Sequence, residues 1–193
     1  MEKVLIGFGD FAKEIMAEIG HPIKCFVDDE YSEYGKTYKI SEFDPKKHQA
    51  LICVADPNLK VSFVNKLPND TIFWNHISKH ALIMSKFNHL GVGNIICAGV
   101  VVSINISIAN HVHLNTLTTV GHDTVIGNYV TTAPSVNISG HVNIDDNVYI
   151  GTNAAIRQKI NICKNVTIGL NAGVVKNINE PGTYIGTPAT KLY

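Results

Sequence analysis

His122 and Asp123 stand side by side in the hexapeptide VGHDTV, Val120 to Val125. An imidazole titrates near neutrality, and a carboxylate held against one ring nitrogen fixes its tautomer, so the pair has the composition of a general base and its orienting partner. Geometry sets a condition. Neighbouring residues of a strand point to opposite faces, so Asp123 reaches His122 only where the chain bends. A second set lies near the start, where Gly7-Phe8-Gly9-Asp10-Phe11-Ala12 matches G-x-G-x-x-A between an apolar run and an amphipathic one. Backbone N–H groups and a helix dipole hold phosphate at such a turn. Asp28 and Asp29 follow about twenty residues later and can accept from a ribose hydroxyl or a base N–H. By spacing alone both sets have bland readings too: outward polar residues of a repeat, and a tight turn beside a solvated acidic loop.

What must position His122 is a repeat with a period of six. From Met84 to Val174 every sixth residue is aliphatic or Met, except Thr132. The residue after it is commonly small or polar, as at Gly91, Ser103, Gly121, Gly127 and Gly151, and a second apolar residue follows at Val100, Val112, Val130, Val136, Val142 and Val148. A helix repeats its apolar face every ~3.6 residues and an ordinary strand every ~2, so neither explains the pattern. A parallel β-helix of hexapeptides does: each unit makes one short strand and one corner, three make a triangular coil, and a small residue relieves the corner. An unslipped register from Met84 to Val174 predicts roughly five coils with no large loop between them.

The front end reads differently. KVLIGFGDFAKEIMAEIG is an apolar strand, a Gly-containing turn and an amphipathic helix ending at Gly20; IKCFVDDE and ALICVADP are two further strands with acidic or Pro-containing exits. Alternating strands and helices predict a small Rossmann-like parallel sheet over residues 1–75, with the β-helix over 76–193 and the hand-over in NHISKHALI. About seventy residues cannot form the two mononucleotide halves that an NAD-dependent reductase needs, so a half-site for a nucleotide-linked sugar is the better expectation.

Composition narrows the classes. With 45% hydrophobic residues among 193, the chain can bury one good core or two small ones. Sixteen basic residues balance sixteen acidic ones, which gives no general electrostatic case for nucleic acid or an anionic membrane. No leader pattern or membrane-spanning apolar run is present, and a cytoplasmic location is expected. Cys25, Cys53, Cys97 and Cys163 form no C-x-x-C pair and are expected to be reduced and buried.

The order of motifs resembles the bacterial sugar acetyltransferases of the sialic acid, bacillosamine and perosamine pathways. IGFGDFAKEI is similar to that family's opening Gly-rich turn, FVDDE to its Asp-Asp exit, VADPNLK to its third-strand segment, VGHDTVIGNYV to its catalytic hexapeptides, and PGTYIGTPATK to its closing segment. The resemblance implies a left-handed β-helix, a homotrimer, acetyl-CoA along the cleft between neighbouring prisms and a nucleotide sugar on the front domain. It makes His122 the general base, Asp123 its orienter and Gly140 the backbone donor facing the reacting carbonyl. Thr131, Thr152 and Leu170 fall on acetyl-CoA positions; Gly9, Asp10, Phe11, Asp28, Asp29 and Ala55 fall where the nucleotide sugar is held. The chain departs from the pattern at Phe11 and Thr131, where members carry a His, and at Ala55, where Gly is frequent.

The implied reaction moves an acetyl group to the amino group of a nucleotide-linked sugar, expected to be a UDP-4-amino-4,6-dideoxy sugar, in surface-glycan synthesis and without a metal. An O-acetyltransferase of sialic acid or a related sugar is the close alternative, because His122 would serve both. A non-catalytic nucleotide-sugar sensor is a further reading. The γ-type carbonic anhydrase builds zinc sites on the same prism, but it needs a close His pair and a third His about two coils away, a spacing this chain lacks. His76, His80, His89, His111, His113 and His141 are expected at the surface or at a trimer interface.

Overall fold

The computed structural model describes residues 1–192, and the chain divides into two compact units between Asn75 and His76. In the first unit the apolar runs become β1 (Glu2–Ile6), β2 (Cys25–Val27) and β4 (His48–Ile52), with β3 (Tyr38–Lys39) and β5 (Ile72–Phe73) as two-residue edges. All pair in parallel, in the order β3-β2-β1-β4-β5. Alternation along the strands sends Val4, Ile6, Phe26, Ala50 and Ile52 to one face, packed with Phe63 of helix α2 (Pro57–Lys66). Helix α1 (Asp10–Ile19) buries Ala12 and Ile15 and ends on Gly20, whose φ of 76° is the left-handed cap that glycine adopts without strain. Cys25 Sγ meets Met16 Sδ of α1 at 3.6 Å, and burial pushes the Cys25 thiol up to about 11.

In the second unit each hexapeptide contributes a two- or three-residue strand, and the strands stack into sheets of six, five and eight strands, all parallel except the last pair of the eight-stranded sheet, Gly182–Ile185 with Thr190–Lys191, which is antiparallel. Corresponding residues of successive coils pair directly, Val120 with Val102 and Ile138, and Ile126 with Ile108 and Ile144. The sixth-residue row fills the axis: Val102, Ile108, Leu114, Val120, Ile126, Ile138, Ile144 and Ile150 are at most 2% exposed. The second apolar row is equally buried, from Val100 to Val148.

Two expectations need correction. The register slips at the start of the span, and again beyond Val174, where Ile162 meets Ile178 and Val166 pairs with Gly182, two residues less than the regular spacing. At the start, Ile77 pairs with Ile96 and Ile83 with Val102, one residue more than the regular spacing, so Ile83 takes the row position and Met84 is 58% exposed. The extra residue is absorbed in the turn where Ser85 Oγ accepts from Phe87 N at 3.2 Å. The corner is also made differently. The bend lies three residues after the row position, where Asn105, His111, Asp123, Tyr129, Ser135, His141, Asn147 and others hold φ between 55° and 63°. Asn and Asp tolerate this region best. Gly121 relieves a different crowding, since a Cβ there would stand 2.5 Å from Gly140 N of the next coil.

Thr132 breaks the aliphatic row for a reason visible in its bonds. It is fully buried, its Oγ1 accepts from Asn115 N at 3.0 Å, and it lies 2.9 Å from Thr118 Oγ1. Thr132→Val keeps the shape and strands the Asn115 N–H, at a cost of about 1–3 kcal/mol. For a chain of this length that is a fall in Tm of about 2–4 °C per kcal/mol. Thermal unfolding checks this, and an unchanged Tm would contradict the role given to the hydroxyl.

Candidate active site

His122 and Asp123 occupy the turn after the strand Thr119–Val120. Asp123 is the left-handed corner residue, with φ 59°, and this bend meets the condition that a straight strand would fail. His122 Nδ1 lies 2.7 Å from Asp123 Oδ2, and Asn105 Nδ2 donates to Asp123 Oδ1 at 3.1 Å. The bond from His122, then the one from Asn105, holds the Asp123 carboxyl below its usual range. An ionised carboxylate only accepts, so a neutral His122 ring carries its proton on Nδ1 and its lone pair on Nε2. Nε2 lies over Gly140 of the next coil: a Cβ built there would stand 2.8 Å from it. The Gly140 carbonyl is already taken by Lys159 N at 3.1 Å.

The three residues expected to meet acetyl-CoA separate. Thr152 and Leu170 are exposed and follow strands of the eight-stranded sheet, so they share a corner distinct from that of His122 and Gly140, which follow the six-stranded sheet. Thr131 is 1% exposed and offers no open surface in the single chain. The histidines also divide. His76, His80 and His89 are wholly or partly exposed, but His111 and His113 are buried, His111 stacked on Tyr129 at 5.3 Å and His113 lying 3.6 Å from Cys97 Sγ. His141 is exposed, and its Nε2 stands 3.7 Å from Asp123 Oδ2, a neighbour missed in the sequence although the two share one corner position in successive coils.

In the first unit the parallel strands bring Gly9, Asp10 and Phe11 (after β1), Asp28 and Asp29 (after β2) and Ala55 (after β4) to one edge of the sheet. The order reverses between β1 and β4, the place where open parallel sheets bind ligands. Gly7, at φ 109°, turns the chain there, and a Cβ would meet Cys53 O at 3.1 Å. Asp29 Oδ1 accepts from Ser41 N at 3.1 Å, and hydrogen bonding from the Ser41 side chain, then from its backbone N–H, holds the Asp29 carboxyl below the ordinary range. Asp28 takes both oxygens to Lys66 Nζ, at 2.7 and 2.8 Å. Lys66, thirty-eight residues away, had no signal in the sequence. Lys60 is buried on α2, and desolvation pushes its ammonium down to about 7. Of the cysteines only Cys163 departs from expectation, being half-buried.

Comparison with known proteins places this geometry. Over 179 residues the chain is 30% identical to a GDP-perosamine N-acetyltransferase of Escherichia coli O157:H7, covering 81% of this chain and 78% of that protein. The chain belongs to the bacterial sugar N-acetyltransferase family. Among solved structures the transferase is similar to WeeI from Acinetobacter baumannii AYE, with 27% identity, a TM-score of 0.88 and full coverage of both chains. It shares the fold of PerB from Caulobacter crescentus, solved with CoA and GDP-perosamine, at 20% identity and a TM-score of 0.89, over 100% of this chain and 98% of that one. No protein-family model matches. No helix among the transferase's described residues is long and apolar enough to cross a membrane.

Proposed function

We propose that the protein transfers the acetyl group of acetyl-CoA to the amino group of a nucleotide-linked amino sugar, with His122 as general base. The observation that carries this reading is the 2.7 Å contact of His122 Nδ1 with Asp123, which orients the ring so that in its neutral form the Nε2 lone pair faces an exposed corner. The neutral amine attacks the thioester carbonyl, and a tetrahedral oxyanion forms. His122 Nε2 takes a proton from the nitrogen, and the Gly140 N–H is assigned to the oxyanion. Collapse breaks the C–S bond, CoA leaves as thiolate, and the proton on Nε2 can return to it. Asp123 holds the ring and stabilises the imidazolium.

The membership in an N-acetyltransferase family favours the amine over the hydroxyl acceptor. The left-handed sense of the prism and the Rossmann-like character of the first unit belong to the same reading. So does a homotrimer: His122 and Gly140 sit on one corner of the prism, Thr152 and Leu170 on another, and a neighbouring copy would bring the two corners to one cleft. A panel of UDP-, GDP-, dTDP- and CMP-linked amino sugars with acetyl-CoA tests it by CoA release. Release with GDP-linked rather than UDP-linked sugars would replace the expected nucleotide, and release with hydroxyl acceptors alone would overturn N-transfer.

Asp28 is assigned to the nucleotide sugar. Asp28→Asn removes an ionised acceptor, worth about 1.5–3 kcal/mol, and is expected to raise KM for the sugar by about 10–100-fold. A change confined to the KM for acetyl-CoA would contradict the placement.

A further inference from the structure

Asp123 faces two imidazoles, and the proposed reaction uses one of them. Its Oδ2 lies 2.7 Å from His122 Nδ1 and 3.7 Å from His141 Nε2, while Asn105 holds Oδ1 at 3.1 Å. The rings of His122 and His141 stand edge to face, 5.0 Å between centroids. One nitrogen or oxygen from each of the three residues lies within 4.8 Å of the other two. Their side chains are 54%, 38% and 51% exposed, so solvent ions reach them.

We propose that His122, Asp123 and His141 bind a divalent transition ion of the Zn²⁺ type, and that this ion inhibits acetyl transfer. Two imidazole nitrogens and one carboxylate oxygen suit Zn²⁺, with water in the remaining position. Bonds of about 2.0–2.1 Å at a tetrahedral ion put its ligand atoms roughly 3.3 Å apart. The 2.7 Å contact must therefore open slightly and the 3.7 Å one close slightly. Exposed side chains can make both adjustments.

Inhibition follows from the tautomer. The ion takes the lone pair of His122 Nδ1, so that nitrogen must give up its proton. A neutral imidazole then carries its proton on Nε2. The atom that would receive the proton of the amine is already protonated, and Asp123 is drawn to the ion. The inhibitory half of this inference rests on His122 being the base; the binding half does not.

The test uses the full chain after treatment with a chelator, with Zn²⁺ titrated in competition with a chromogenic chelator. One ion per chain is expected. His141→Asn is the informative variant, because Asn suits the left-handed φ of 58° at this corner and removes the imidazole. It is expected to weaken Zn²⁺ binding by more than about tenfold. The Zn²⁺ concentration that halves its own zinc-free rate should rise by the same factor, while His89→Ala should behave as the unaltered protein. Absence of binding, or equal binding by His141→Asn, would overturn the site. Binding without inhibition would overturn the inhibitory role. Turnover retained in His122→Ala would defeat the assignment of the base while leaving the metal site standing.

Discussion

His122→Ala is expected to lower kcat by about 10²–10⁴-fold and to leave acetyl-CoA binding nearly intact. The side chain is 54% exposed and belongs to neither apolar row, so its loss opens no cavity and the prism should unfold as before. The loss should appear in kcat because the proposed role has Nε2 take a proton that becomes acidic only as the amine attacks. Asp123→Asn is expected to cost less. Asn is at home at a φ of 59°, and its side-chain oxygen can still accept from Nδ1, so the ring keeps its orientation while the stabilising charge and the acceptor for Asn105 Nδ2 are lost. Steady-state rates for both variants, with melting curves as the control for folding, decide the matter. An unchanged kcat in His122→Ala would remove the base assignment.

Asp123 also shows how far sequence could go toward this site. Its corner position accounts for its type without any chemistry, because left-handed corners favour Asn and Asp and Asn105 occupies the equivalent place one coil earlier. The backbone does not account for His122. That asymmetry was hidden in the linear sequence, where the small residue after the row position looked like the corner, and it emerges once the bend is located two residues further on. The same stacking makes the apolar row easy to read, since every coil repeats one environment. It fails at Ile83 and Met84, two adjacent apolar residues either of which could fill the row. Contacts across coils were legible only to a reader counting by eighteen residues, the separation of Asn105 from Asp123. His141 stands at that spacing from Asp123, and an expected place at the surface or at a trimer interface does not reveal the contact. The burial of His113 and Thr131 was not legible, because alternation along a strand marks both as outward. In the first unit, β3 and β5 have two residues each, too few to show a period, and the Lys66–Asp28 pair joins a helix end to a strand exit.

Gly140→Ala is expected to lower kcat by about 10²-fold while the protein keeps its fold. Gly140 is absent from the positive-φ residues, so its backbone accepts a side chain. The new Cβ would stand 2.8 Å from His122 Nε2 and 2.9 Å from Cε1, well inside ordinary contact, and the imidazole, as the end of an exposed side chain, is what must move. A shift of about 1 Å at a reacting group costs about 10²-fold in rate. Alanine retains the backbone N–H, so the loss reports on the position of the imidazole rather than on the oxyanion donor. A double-mutant cycle separates the two. If Gly140 acts on the rate through the His122 ring, adding Gly140→Ala to His122→Ala should cost almost nothing further, because there is no longer a ring to displace. Additive losses would mean that the substitution disturbs the oxyanion site instead, and that His122 and Gly140 contribute to the transition state independently.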